Sequence, residues 1–317
     1  MTTHPSRPLK VGLHLPNATE MLDGQTASWS DLAAMARRAE ELGFDSLWVM
    51  DHLLVRLPLP SWETHPIGVW ECWSLLAALA ASTERVELGA FVSCLGFRNP
   101  ALLAKMAETI DEISGGRLLL GLGAGWHEEE FAMFGYPFDH RVGRFEEALP
   151  IISGLLRDGQ VDVVGTYHRA RRCELRPRGP RPRGLPILVG ATGERMLRLT
   201  ARYADGWCSE WTGTATAIPP VRKRVDAACV AVGRDPATLE RIAGVMIDLP
   251  GRGEPGHDWA TDLRAAVGTA TGTPDELASL LQTYADEGIT HVVVWLAPCT
   301  PTGIEAFAPV LERLDRR

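Results

Sequence analysis

Gly116-Arg-Leu-Leu-Leu-Gly-Leu-Gly-Ala-Gly-Trp126 (GRLLLGLGAGW) joins a short continuous apolar run to alternating glycines and a tryptophan. An apolar run of this length between turn signals reads as a strand buried on both faces, here Arg117–Gly121. Gly121-x-Gly123-x-Gly125 then reads as the segment that leaves it. A strand covered on both faces belongs to a parallel sheet wrapped by helices, so the neighbouring sequence should alternate strand and helix.

It does so in both directions. N-terminal to the quoted stretch lie runs at Lys10–Leu15, Ser46–Met50 and Val86–Val92. The helices between them are one capped by Ser30 and stopped by Gly43, one near Val69–Ala81, and one opened by Asn99-Pro100. C-terminal to it, a helix over about Val142–Leu156 precedes runs at Pro186–Val189, Asp205–Cys208, Arg241–Leu249 and His291–Leu296. Helices at Glu194–Arg202, Pro219–Val232 and Gly303–Leu314 alternate with them. Thr273-Pro-Asp-Glu276 is a capping box with proline at the first helical position. Eight such units predict an α/β fold, a (β/α)8 TIM barrel, with an open doubly wound sheet as the other arrangement. The chain reads as one domain over 1–317, with 1–9 flexible and an insertion, residues 157–185, between strands four and five. In that insertion Arg169–Gly184 carries seven arginines. It cannot belong to the core and reads as a solvated excursion or a basic flap over an anionic ligand.

Composition narrows the function. The 317 residues are 45% hydrophobic and 23% charged, with a net charge of −8. So acidic a chain is a poor partner for nucleic acid, whose binding depends on neutralised phosphates. No apolar run reaches membrane-spanning length, and the polar, proline-rich start is no signal peptide. The six cysteines form no C-x-x-C pair, which predicts reduced thiols in a cytoplasmic enzyme and no metal site.

In a barrel the chemistry sits where the strands end. The residues found there include Asp51 and His52 after strand two and Phe91, Val92 and Ser93 late in strand three. Gly123, Ala124, Gly125 and Trp126 follow strand four, Gly190, Ala191, Thr192 and Gly193 follow strand five, and Trp207 lies near the end of strand six. Gly121-x-Gly123-x-Gly125 is not G-x-G-x-x-G and stands fourth in the chain, so it is a weak dinucleotide signal. Its glycines either admit a flat ring or ribityl chain or make a tight turn. Gly190-Ala-Thr-Gly193 enters a helix whose free N–H groups suit a phosphate, with Thr192 and Arg195 as further donors; the other reading is an N-cap by Thr192. His52 can donate or take a proton near neutral pH. His127-Glu-Glu-Glu130 is not H-E-x-x-H and reads as a loop or helical turn with one carboxylate facing the pocket. Trp126 and Trp207 read as pocket walls, and Trp62, Trp70 and Trp73 as part of a lid or substrate wall.

These stretches resemble the luciferase-like flavin- and F420-dependent oxidoreductases. The resemblance is carried by Asp51-His52, Arg98–Lys105, Thr109–Arg117, Gly121–Trp126, Phe134–Phe138, Arg144–Glu147, Pro186–Gly190 and Ala201–Trp207, and spans about Lys10 to Leu314. It implies a non-prolyl cis peptide at Phe91–Val92, forming a bulge behind the isoalloxazine, and a phosphate at Gly190–Gly193. Asp51 and His52 match the Asp-His pair near the ring in F420-dependent members. The cofactor is then reduced FMN or coenzyme F420. The first reading is a monooxygenase that uses reduced FMN and O2 on a small organic substrate, fed by a separate flavin reductase. The alternative is F420-dependent hydride transfer, and a further one is a non-catalytic flavin-binding barrel. The resemblance also implies a homodimer. A metal-dependent hydrolase using Asp51, His52, Asp205 and His291 is a reading from another class, opposed by the position of His291 at a strand start.

Overall fold

The computed structural model describes residues 7–56, 66–249, 265 and 267–316. Eight strands form its centre: β1 (Lys10–His14), β2 (Ser46–Val49), β3 (Glu87–Ala90), β4 (Leu118–Gly123), β5 (Ile187–Gly190), β6 (Gly206–Thr212), β7 (Glu240–Asp248) and β8 (His291–Ala297). Each pairs in parallel with the next in sequence, from β1–β2 through β7–β8. The ring closes where Lys10–Leu13 of β1 align with His291–Val294 of β8. This is the (β/α)8 TIM barrel that the alternation predicts.

The main outer helices are α1 (Trp29–Glu41), α2 (Cys72–Ser82), α3 (Pro100–Ser114), α4 (Arg141–Asp158), α5 (Glu194–Tyr203), α6 (Ile218–Ala231), α7 (Pro274–Asp286) and α8 (Pro301–Asp315). α1 turns Leu32, Ala33, Met35, Ala36 and Ala39 inward, the stripe that 3.6-residue periodicity requires. Its cap is Ser28, in a capping box with Asp31, not Ser30: the helix starts one turn-fraction earlier because Ser28 reaches the N3 amide. α2 starts at Cys72, later than its apolar run, because the Glu71 carboxylate caps it. α3 and α7 start as their Asn-Pro and Thr-Pro-x-Glu signals dictate.

The lumen is solid. Trp48 lies across it, wholly buried with Leu119, Leu188, Cys208, Ile242 and Val293. Its indole fits because two neighbouring strands carry glycine there: a Cβ on Gly12 would stand 2.5 Å from Trp48 Nε1, and one on Gly89 2.5 Å from Cζ3. Burying a tryptophan removes some 200 Å² from water, worth roughly 5 kcal/mol. Its Nε1–H donates to Ser46 Oγ, which lies 2.7 Å from His291 Nε2. With the N-terminal half plugged in this way, a ligand has room only above the C-terminal strand ends.

Within residues 157–185, Gln160–Val164 and Arg169–Glu174 form an antiparallel hairpin. The arginine-rich stretch therefore contains a strand, which its composition hid, although the strand is mostly exposed. Arg171, Arg176 and Arg181 pair with Asp162, Glu174 and Asp111. Of residues 1–9, expected to be flexible, 1–6 lie outside the described residues. Arg7 is held by Asp45 (3.0 Å) and Asp315 (2.7 Å), and Leu9 is buried.

Candidate active site

Asp51-His52 follows β2, and the two side chains enter different surroundings. Asp51 turns into the protein and is 3% exposed. Its carboxylate accepts from Arg98 Nη1 (2.6 Å) and Nη2 (2.8 Å) and from the Cys94 N–H (2.9 Å). Arg98 also donates to Glu71 at 2.8 Å. Burial pulls the Arg98 pKa down, but the Asp51 charge and hydrogen bonds prevail and hold it above its usual value. Asp51 thus ties the chain after β2 to the chain beyond β3, its carboxylate holding the Arg98 guanidinium and a backbone N–H at once.

His52 is placed differently. Its Nδ1 lies 2.9 Å from Glu130 Oε2, and its side chain keeps 23% of its surface while that of Glu130 keeps 1%. Glu130 Oε1 accepts from the Leu53 and Leu54 N–H groups at 2.5 and 3.0 Å. Burial pushes the Glu130 pKa up, yet the hydrogen bonds from His52, Leu53 and Leu54 outweigh it and bring it below the usual value. Trp126 stands edge-on to His52, centroids 5.5 Å apart, and is 55% exposed. Glu130 belongs to a short helix, Glu128–Phe134. The same helix start sets His127 Nε2 as acceptor for the Arg56 N–H (3.1 Å) and Glu129 against Arg56.

The Phe91–Val92 peptide is cis, as the resemblance implied. Phe91 and Val92 are half-buried at the barrel mouth, and Ser93 is buried, its hydroxyl accepting from Trp73 Nε1 (2.9 Å). The Val92 side chain explains the glycines: a Cβ on Gly123 would stand 2.8 Å from Val92 Cγ2, one on Gly190 3.0 Å, and one on Gly121 2.2 Å from the Ala90 carbonyl oxygen. The positions beside these glycines are taken by Ala90 and Val92. Gly125 has φ +81° and its missing side chain makes room for Phe131 and Cys94. Ala124 and Gly125 are half-buried, beside the exposed Trp126.

On the other side, the loop Gly190–Gly193 enters α5. Gly193 is the N-cap, with no side-chain cap bond, and a Cβ built there would meet nothing within 4 Å. The Thr192 cap is therefore not formed, and Gly193 supplies no side chain to cap the helix. Arg195 turns away to Glu146. Trp207 is wholly buried, its Nε1–H donating to the Ala191 carbonyl at 2.7 Å. It props the loop from beneath and is no pocket wall. Among the expected lid residues, Trp73 is buried, half-exposed Trp70 donates to the Ala27 carbonyl (2.9 Å), and Trp62 lies outside the described residues. Asp205 and His291 stand at the starts of β6 and β8, at the opposite end from Asp51 and His52. Among the described residues no group of three or more His, Cys, Asp or Glu is placed to hold a metal, and no helix is long and apolar enough to cross a membrane.

Residue-by-residue reading underrated three partners. Glu130 was one of three adjacent glutamates, and only its inward turn on the short helix singles it out. Arg98 lay in a recognised stretch without an assigned role. Asn17, wholly buried, donates to the Met50 carbonyl and accepts from the Met50 N–H, fixing the residue before Asp51. A further aromatic group runs inward from half-buried Phe91: Trp211 meets Phe91 (5.1 Å), and buried His14 meets Trp211 edge-on (5.4 Å) and stacks on Trp295 (5.1 Å).

Comparison with known proteins finds relatives along most of the chain. The chain is 28% identical over 300 residues to an F420-dependent glucose-6-phosphate dehydrogenase of Amycolatopsis mediterranei, covering 83% of this chain and 87% of the relative. It is 32% identical over 326 residues to a phthiodiolone/phenolphthiodiolone dimycocerosates ketoreductase of Mycobacterium bovis, covering 81% and 84%. Among solved structures, an F420-dependent secondary alcohol dehydrogenase in complex with an F420-acetone adduct superposes with TM-score 0.77 at 19% identity, covering 96% of this chain and 99% of the other. The monooxygenase RslO1 of Streptomyces bottropensis superposes with TM-score 0.73 at 21% identity, covering 96% and 99%. These two share the fold. Residues 9–249 match the family model described as luciferase-like monooxygenase, and the chain belongs to that family.

Proposed function

We propose that this chain is an oxidoreductase that exchanges a hydride between coenzyme F420 and a small carbonyl compound or secondary alcohol. The observation that carries the reading is His52, presented at the end of β2 with its Nδ1 held by the buried Glu130 carboxylate. Such an imidazole can take the proton of an alcohol as its C–H hydride departs, and return it to the oxygen in the reverse direction. The residues fit a bound deazaflavin in two respects. The uncapped start of α5 at Gly193 leaves N–H groups for a phosphate, and Phe91, Val92, Ala124 and Gly125 leave part-exposed apolar surface at the mouth. When bound, the cofactor supplies the hydride chemistry. Phe91 and Trp211, both half-buried, give the substrate region aromatic walls.

The oxygenase reading, placed first on sequence grounds, yields to hydride transfer because the relatives at 28–32% identity are named dehydrogenase and ketoreductase. The test is a titration of purified protein with F420 and with FMN, followed by absorbance and fluorescence. Binding of F420, and bleaching of its absorbance when a secondary alcohol is added, is expected, with His52→Ala losing turnover. Binding of FMN with O2 consumption would restore the oxygenase, and binding of neither would overturn both.

A further inference from the structure

We propose that Glu130 is a positioning residue: it fixes His52 as the Nδ1–H tautomer and so reserves Nε2 for the proton of the substrate. This rests on the hydride-transfer reading above for its consequence in catalysis, but not for the tautomer itself.

The argument starts from the acceptors. Glu130 is 1% exposed and has three donors within hydrogen-bond distance: His52 Nδ1 at 2.9 Å and the N–H groups of Leu53 and Leu54 at 2.5 and 3.0 Å. Those contacts favour the carboxylate, which can only accept. Nδ1 must therefore carry a hydrogen, and in the neutral imidazole Nε2 is then the acceptor. Among the described residues Nε2 has no hydrogen-bond partner, and the ring is the exposed member of the pair. A flipped ring would set Cδ2 against the carboxylate and lose the hydrogen bond, so the observed orientation is favoured. When alcohol is oxidised, its O–H bond breaks and an Nε2–H bond forms. The C–H hydride leaves for F420 and the C–O bond becomes C=O. The imidazolium left behind is neutralised by a carboxylate already in contact with Nδ1. In the reverse reaction Nε2 returns the proton to the alkoxide oxygen. An orienting acid behind a histidine is a general device for holding one tautomer, but here the same acid also clamps the two residues that follow the histidine. Ring angle and backbone are thus set by one buried group.

Glu130→Gln separates these roles. Its carbonyl oxygen can still accept from Leu53 and Leu54, while its NH2 now faces Nδ1 and, as a donor, demands the Nε2–H tautomer. Histidine-labelled 15N–1H spectra of the protein without cofactor give the first readout, with the His52 signals among the nine histidines assigned by their loss in His52→Ala. The wild type is expected to show Nδ1–H and Glu130→Gln to show Nε2–H. The second readout is F420-linked alcohol oxidation. We expect kcat to fall by about 10²–10⁴-fold with KM little changed, and Glu130→Gln in a His52→Ala background to cost nothing more. A wild-type Nε2–H tautomer, or a Glu130→Gln variant that keeps Nδ1–H, overturns the proposal. So does a loss of activity that adds fully to that of His52→Ala. If the tautomer switches as expected but the wild type neither binds F420 nor turns over, the hydride reading fails while the positioning of His52 stands.

Discussion

At the scale of single residues, two neighbours in sequence do different work because their side chains meet different partners. Asp51 faces Arg98 and Cys94, and His52 faces Glu130 and the mouth. Asp51→Asn keeps the shape of the side chain but removes its charge, leaving Arg98, whose side chain is 10% exposed, with only the more exposed Glu71. Removing one partner of a buried pair costs about 3 kcal/mol or more. The variant is expected to show a lower urea midpoint with an unchanged m value, and turnover should fall because the end of β2 shifts. Undiminished stability would show that the Arg98 pair contributes nothing net. The Asp-His pair was legible in the sequence as a strand-end feature. The division of roles was not, because the deciding partners stand 47 and 78 residues away, and only closure of the barrel brings them near.

Among elements, the glycine-rich end of β4 shows what packing demands of positions that composition leaves ambiguous. Gly123 and Gly190 flank one valine of the cis-peptide segment, and their missing side chains are filled by its methyl groups. Gly123→Ala must push a methyl 2.8 Å from Val92 Cγ2 and is expected to cost about 1–3 kcal/mol by overpacking. Gly193→Ala, at an open site with φ −77°, is expected to leave the melting temperature within a degree or two. Thermal unfolding of the pair checks both, and equal effects would refute the packing argument. The Thr109–Arg117 stretch was likewise recognised without its purpose being visible. Gly115 ends α3 in the left-handed region. The Arg117 guanidinium then donates to the Ser114, Val86, Ala80 and Thr83 carbonyls, so the motif welds α3 to the floor of the barrel and takes no part in the site. Helix starts were legible wherever a local cap made them, as at Asn99 and Thr273, and slipped where a cap lay outside the apolar run, as at Ser28 and Glu71.

For the molecule as a whole, the eightfold alternation pointed to the barrel over an open sheet, because several runs are continuously apolar and eight units suit closure. The surface hairpin was not predictable, since Arg169–Glu174 becomes a strand only through its partner Gln160–Val164. The interior also sets how the protein meets acid. Burial holds the pKa of His14 and of His291 down to about 3, against 6.5 when free. Between those values the unfolded chain binds protons that the folded barrel refuses, so stability is full above pH 6.5 and falls as pH is lowered through the window. At pH 4.5 the loss is roughly 2–3 kcal/mol per histidine. Urea midpoints measured from pH 7.5 to 4.5 should decline, and His291→Gln, which keeps an amide for Ser46, should flatten the slope; an unchanged slope would remove His291 from the account. The link from Arg7 to Asp45 and Asp315 has a practical corollary. It brings the two described ends of the chain side by side beneath the plugged floor. A chain leaving Arg7 or Arg316 therefore sets out from the underside, the end of the barrel opposite His52.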